Sequence, residues 1–284
     1  MNANLPPTVK SFEEMLAMFD YDRTAPLAVE EASVADRHGI AVHDLGYASQ
    51  RMGRTAAYLI TPAGHGPFAG VVFVHPAPGA RPTFMEEAIT LAQRGVVCLL
   101  PDAPWAQGEA WGRTLGQPEG DRQAFLQIAI VFRRAIDLLA AQPNVDMSRI
   151  GYVGHSFGAL FGGVLSGVEK RIQAFVLMAG TGSFTDVAVL SMPFLQGQAL
   201  EQYAQAMSLI DPTYYVGRAA PAALLYQSGL QDEAFPRDKV EGFIAAGSQP
   251  KSVKWYDAGH FLDDEARAYR LEWLGARLGL SPRQ

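Results

Sequence analysis

The chain has one cysteine in 284 residues, so no disulfide can form within it. Cys98 lies in the apolar run Gly95-Val96-Val97-Cys98-Leu99-Leu100 and reads as a core residue, not a redox or metal-binding one. Charge is also scarce: charged residues make up 18% of the chain and the net charge is −6. With no basic cluster present, nucleic acid is not an expected partner. No apolar run approaches the roughly 18 residues of a membrane span, so no membrane partner is expected either. Met1 to Lys10 shows neither an apolar core nor a cleavage site and is not read as a signal peptide, which makes the cytoplasm the expected location. There is no internal repeat and no low-complexity linker. With 49% hydrophobic residues, the chain suits a single large α/β domain with a deep core. A homodimer is compatible with this composition, and no metal or cofactor is expected.

The apolar pattern alternates between strand and helix. Residues 1–36 read as an N-terminal extension, with a short helix from Ser11 to Phe19 capped by Ser11 and Glu14. Ile40 to Tyr47 and Thr55 to Thr61, joined by Arg51-Met52-Gly53, predict an antiparallel hairpin at a sheet edge. Five short apolar strands follow, over Gly70–His75, Val96–Leu100, Ile150–Gly154, Ala174–Ala179 and Ala222–Tyr226, with Ser252–Tyr256 last. Helices are predicted over Phe84–Arg94, Asp121–Ala141, the run after residue 157, Lys239–Ala246 and Asp263 to about Leu278. Strand and helix in alternation predict a mostly parallel central sheet with helices on both faces. One connection breaks the rhythm. About forty residues separate the strands ending at Ala179 and starting at Ala222, longer than a crossover needs. Residues from about 182 to 212 are read either as a lead-in to one crossover helix or as a small cap.

The chain is organised around Val153-Gly154-His155-Ser156-Phe157-Gly158-Ala159, a Gly-x-Ser-x-Gly run between a buried strand and a small-residue helix. This context predicts a nucleophile elbow, with Ser156 Oγ exposed at a strand end and the Phe157 amide pointing into the same space. A serine hydroxyl needs a base, and the base needs an orienter. Of six histidines, His260 alone lies downstream of the elbow. It follows a strand in Asp257-Ala258-Gly259-His260-Phe261. Asp232, with Glu233 as its rival, follows another strand in Ser228-Gly229-Leu230-Gln231-Asp232-Glu233. The order Ser156…Asp232…His260 is the one this architecture imposes. Asp263 and Asp264 read instead as first-turn acids of the last helix. In His75-Pro76-Ala77-Pro78-Gly79 the prolines carry no N–H, which leaves Ala77 as the second oxyanion donor beside Phe157.

The elbow, the Gly229-x-x-Asp232-x-x-x-Pro236 loop and Ala258-Gly259-His260 resemble those of the α/β-hydrolases. Among these the chain is most similar to the dienelactone hydrolase and prolyl-oligopeptidase-like esterase branches, over roughly residue 37 to the C-terminus. The resemblance implies an α/β-hydrolase fold and a small-molecule ester, thioester or amide substrate. Two features depart from it. His75-Pro76 stands where many members have His-Gly, and serine stands where dienelactone hydrolases proper have cysteine. Trp105, Trp111, Met192, Phe194 and Phe261, together with Phe157, are candidate walls of a substrate pocket. The expected activity is hydrolysis of small or medium, mostly apolar carboxylic esters through an acyl-enzyme. The alternatives are a serine exopeptidase or amidase and a catalytically silent binding protein.

Overall fold

The nine strands are β1 (Glu30–Arg37), β2 (Ile40–Ala48), β3 (Arg54–Thr61), β4 (Phe68–Val74), β5 (Val96–Pro101), β6 (Val145–His155), β7 (Ala174–Met178), β8 (Ala223–Gly229) and β9 (Lys251–Tyr256). They join in one sheet of order β1-β2-β3-β5-β4-β6-β7-β8-β9. Pairings from β1 through β3 to β5 are antiparallel, and all those from β5 to β9 are parallel. The computed structural model describes residues 10–280. Residues 1–9, which carry most of the Met1–Lys10 reading, lie outside the described residues.

Central strands are mostly apolar where both their faces are covered. In β4, Val72 and Val74 join the core on one side of the sheet, and Val71 and Phe73 join the core on the other. The first side is covered by α4 (Pro118–Ala140) and α5 (Phe157–Val168), whose Phe132 and Phe161 are fully buried. The second is covered by α2 (Met85–Ala92) and α10 (Asp264–Arg277). Arg270 of α10 donates to the Glu87 carboxylate of α2 from Nε and Nη2 at 2.8 and 2.6 Å, which ties these two helices across the sheet face. The short α1 (Phe12–Ala17) carries the expected reciprocal cap. The Glu14 amide donates to Ser11 Oγ at 3.2 Å and the Ser11 amide to the Glu14 carboxylate at 2.6 Å.

One expectation about the edge fails. The β2–β3 pair is antiparallel, but β1 lies outside it and forms the sheet edge. Every side chain of β1 is exposed, so the strand is held by backbone pairing and by surface contacts of Glu30 with Arg54 and Glu31 with His43, and has no apolar periodicity to read. Its Glu30, Glu31, Asp36 and Arg37 suit an edge that must not pair with another chain.

The long connection after β7 folds into α6 (Phe184–Ser191), α7 (Gly197–Met207) and α8 (Pro212–Val216), while the short α3 (Glu109–Gly112) follows β5 and α9 (Arg237–Ala246) follows β8. Helix α8 packs against α5 so tightly that a Cβ on Gly167 would strike Tyr215. Helix α7 packs against α4 and α6. Among the described residues no helix is long and apolar enough to cross a membrane.

The chain runs from β4 out to β5 on one side and returns to β6 on the other. The sheet therefore has a switch point at the carboxyl ends of β4 and β6, where a crevice opens. His75 to Ala77 follow β4, Ser156 follows β6, Asp232 follows β8 and His260 follows β9.

Candidate active site

Ser156 has φ 54° and ψ −116°, a strained backbone for a residue with a side chain. The strain is locked from both sides. Its amide donates to the Met178 carbonyl at 2.8 Å, and its carbonyl accepts from the Ala159 and Leu160 amides at 2.8 and 3.1 Å. The flanking glycines allow the reversal. A Cβ on Gly154 would collide with the Gly158 carbonyl, and a Cβ on Gly158 with the Val74 carbonyl. The Tyr152 hydroxyl donates to the Gly158 carbonyl at 2.7 Å and fixes the first turn of α5. The serine hydroxyl thus sits at the helix N-terminus with the Phe157 amide beside it.

Asp232 and His260 meet on the neighbouring loops. His260 Nδ1 lies 2.9 and 3.0 Å from the two Asp232 carboxylate oxygens. Asp232 also accepts from the Ala234 amide at 2.8 Å and the Phe235 amide at 3.4 Å. Burial alone would raise its pKa. The hydrogen bond and charge of His260 and the two amides outweigh this and hold the carboxyl below its ordinary value. Glu233 is exposed. Asp263 caps α10, accepting from the Ala266 amide at 2.9 Å.

His155, which the sequence reading passed over, joins the elbow to the His260 loop. It is buried, and its Nε2 donates to the His260 carbonyl at 2.8 Å. Burial pushes its pKa down to about 4, against a smaller opposing effect of that hydrogen bond. At neutral pH it is an uncharged donor that holds the His260 backbone against the elbow. A buried polar residue next to a strained serine was the only signal of this. His155→Ala should lower kcat by about tenfold with little change in KM, since one hydrogen bond contributes about 0.5–1.5 kcal/mol. His155→Gln, which keeps a donor, should recover part of the loss. Unchanged kcat in the alanine variant would remove this role. The depressed pKa also carries a stability consequence. The unfolded chain takes up a proton here near pH 6.5 and the folded chain only near 4, so stability falls as pH drops through that window. Denaturant midpoints measured from pH 7 to 4 should fall less steeply for His155→Gln than for the wild type.

The loop after β4 is braced by His75. The Ala103 amide donates to His75 Nε2 at 3.0 Å, so the proton sits on Nδ1 and is donated to the Pro76 carbonyl at 2.9 Å. Trp105 Nε1 donates to the same carbonyl at 2.9 Å. Burial lowers the His75 pKa and keeps the ring neutral in this arrangement. Ala77 follows this fixed carbonyl and faces the same cavity as Phe157 and Ser156.

That cavity has a volume of about 160 Å³. Trp111 and Met192 line it, as do Phe184, Val187 and Ala188 of α6. The other candidate walls lie elsewhere. Trp105 is buried one layer behind, its ring 4.7 Å from Phe157 and 5.6 Å from Phe161, because its indole N–H is used to hold the β4 loop. Phe194 is 67% exposed on the turn between α6 and α7, its ring against Gly116. Phe261 is 73% exposed and packs edge-on against His155 and His260. Phe125, Tyr203 and Phe235 line the cavity instead. In the sequence Phe125 reads only as a residue of the helix Asp121–Ala141. Phe194→Ala should change the melting midpoint and the acyl-length profile little, because an exposed ring contributes to neither core nor cavity. A loss of roughly 3 kcal/mol, the cost of removing a buried aromatic, would contradict its placement. Among the described residues no group of three or more His, Cys, Asp or Glu is placed to hold a metal ion.

Residues 55–272 match the dienelactone hydrolase family over most of the chain. The chain belongs to this family. Its activity class is that of the family's esterases and hydrolases. It is similar to the esterase YjfP of Escherichia coli (strain K12), at 24% identity over 179 residues covering 61% of this chain and 72% of that protein. An uncharacterized protein of Mycobacterium tuberculosis (strain CDC 1551 / Oshkosh) is 28% identical over 193 residues, 67% of this chain and 61% of its own length. The fold of this chain is similar to that of the acetyl xylan esterase from Paenibacillus sp. R4, with a TM-score of 0.75 at 19% identity over 94% of this chain and 93% of the other. Acetyl xylan esterase 1 from Thermoanaerobacterium sp. JW/SL YS485 has the same TM-score, 0.75, at 20% identity over 92% and 93%. This family member therefore has the α/β-hydrolase fold, with a mostly parallel sheet and helices on both faces.

Proposed function

We propose that the chain is a serine esterase for small or medium, mostly apolar carboxylic esters. Ser156 Oγ attacks the ester carbonyl. His260 takes the serine proton and passes it to the leaving alcohol. Asp232 holds the His260 ring in the required tautomer and stabilises the imidazolium. The Phe157 and Ala77 amides receive the oxyanion. Water then repeats the sequence on the acyl-enzyme. The observation that carries this reading is the Asp232–His260 pair at 2.9 Å, tied to the serine elbow through the 2.8 Å bond from His155. The helices of residues 182–212 act as a cap in this reading, because α6 walls the cavity that reaches Ser156.

A serine exopeptidase or amidase would need a charged anchor for a peptide terminus. No charged side chain is found among the described residues lining the cavity, which favours the ester. The test is a fluorophosphonate label followed by turnover of p-nitrophenyl esters against amino-acid p-nitroanilides. Labelling at Ser156 and preference for the ester are expected. Preferred anilide cleavage would favour the amidase, and no labelling would favour the silent binding protein.

A further inference from the structure

The cavity beside Ser156 is small, fixed in shape and ringed by aromatic side chains. Trp111, Phe125, Phe157, Phe184 and Phe235 reach it from separate elements. Four of these rings brace one another. Phe125 stands 4.9 Å from Phe184 and 5.4 Å from Phe157, and Trp111 stands 5.8 Å from Phe157. Rings locked against each other in this way leave a slot whose walls do not fold in or give way. Its volume, about 160 Å³, matches the roughly 150 Å³ apolar cavity known to take up benzene.

The position of the base decides which half of an ester enters. His260 must reach the leaving oxygen to protonate it. Ser156, Phe157 and Ala77 line the cavity, whereas His260 stands outside, its ring 5.7 Å from that of Phe235. The alcohol half therefore leaves on the His260 side of Phe235, and the acyl half fills the slot. A flexible saturated acyl chain of the same volume would lose rotor freedom on entering, whereas a flat ring has almost none to lose. Aromatic walls also favour an aromatic occupant through edge-to-face and offset contacts. A neutral occupant is required, since among the described residues no cation lines the slot to pair with an anion.

Building on the esterase reading above, we infer that the acyl group is a neutral ring of benzene size and that the preferred substrates are arenecarboxylic esters of the benzoyl class. In the chemical step the Ser156 Oγ–acyl carbon bond forms and the ester C–O bond breaks. The serine proton passes through His260 to the departing alkoxide. Water then replaces the serine oxygen and releases the arenecarboxylate.

The experiment keeps one leaving group and varies the acyl group: p-nitrophenyl acetate, butyrate, decanoate, benzoate and 2-naphthoate. Each kcat/KM is divided by the hydroxide rate constant of the same ester. The normalised value for benzoate should exceed that for acetate by at least about tenfold, and 2-naphthoate and decanoate should fall below benzoate by at least as much, the discrimination a shaped apolar pocket supplies. Acetate in the lead, or naphthoate level with benzoate, would overturn the inference. Ala188→Phe fills the slot from α6 and should lower the ratio of benzoate to acetate kcat/KM by more than about tenfold. If that variant does not fold, the wild type still decides: benzeneboronic acid should inhibit at least about tenfold more tightly than methaneboronic acid, and equal inhibition would count against the slot. Esters that all turn over with a flat profile, and that all depend on Ser156, would leave the esterase reading standing and remove only the benzoyl class. Failure to hydrolyse any ester would remove both.

Discussion

Ser156→Ala should reduce ester turnover by about 10⁶-fold, to the residual that oxyanion donors and binding alone supply. The expectation follows from what the change leaves alone. The strained φ of 54° is imposed on residue 156 by bonds from its own amide and carbonyl to Met178, Ala159 and Leu160, and alanine keeps all three. It also keeps the Cβ, so the steric cost of the turn is unchanged. The glycines at 154 and 158 continue to make room for the crossing carbonyls. Only the hydroxyl oxygen is lost. Melting curves of variant and wild type should therefore overlap within about 0.5 kcal/mol, as for a substitution that removes no packing. Turnover should fall alike for every acyl length. Residual activity far above about 10⁴-fold over water would mean that another group attacks the ester. A fall in melting temperature matching the fall in activity would mean that the hydroxyl supports the elbow.

The contrast between Ser156 and Phe194 shows what is legible in a sequence of this kind and what is not. The elbow is a local event: two glycines, a strand and a helix within ten residues force one backbone geometry. The Asp232 and His260 loops are readable because parallel strands put their carboxyl ends at one edge, so position along the chain stands in for position in space. Pocket walls have no such proxy. Trp105 and Trp111 lie six residues apart, yet Trp111 faces the cavity while Trp105 is turned away by its bond to the Pro76 carbonyl. Phe125 reaches the cavity only because α4 begins at Pro118 and passes under α6, a tertiary fact absent from its own periodicity. His155 is a further case. Its partner is a backbone carbonyl more than a hundred residues away, and a carbonyl has no signature in a sequence. At the other end of the sheet, β1 escaped detection because a wholly exposed edge strand has no buried face to produce alternation.

The acid invites a sharper experiment than the serine, because Asp232→Asn alters charge and tautomer while preserving shape. Asp232 receives the Ala234 and Phe235 amides on Oδ1, the oxygen that also lies 3.0 Å from His260 Nδ1. An asparagine carbonyl would be held by those amides, and its NH₂ group would then face Nδ1. Two donors cannot face each other, so the ring must move its proton to Nε2. That nitrogen can then no longer accept the serine proton. The expected result is a fall in kcat of about 10⁴-fold with KM little changed, since the cavity assigned to the acyl group is untouched. Proton NMR of the Nδ1–H, visible far downfield when a carboxylate accepts it, should disappear from the variant. The pH dependence of stability should shift as well. A folded carboxyl held below its ordinary value adds stability above the unfolded-state pKa, and this is lost as pH falls through the folded value. Asp232→Asn should flatten that acid limb. Glu233→Gln is the control: its carboxylate is exposed and stands apart from the ring, so turnover should stay within about twofold of wild type, as surface changes do. If the glutamine variant is crippled and the asparagine variant is mild, Glu233 must swing in to orient His260 during turnover, and the 2.9 Å contact with Asp232 belongs to a resting arrangement only.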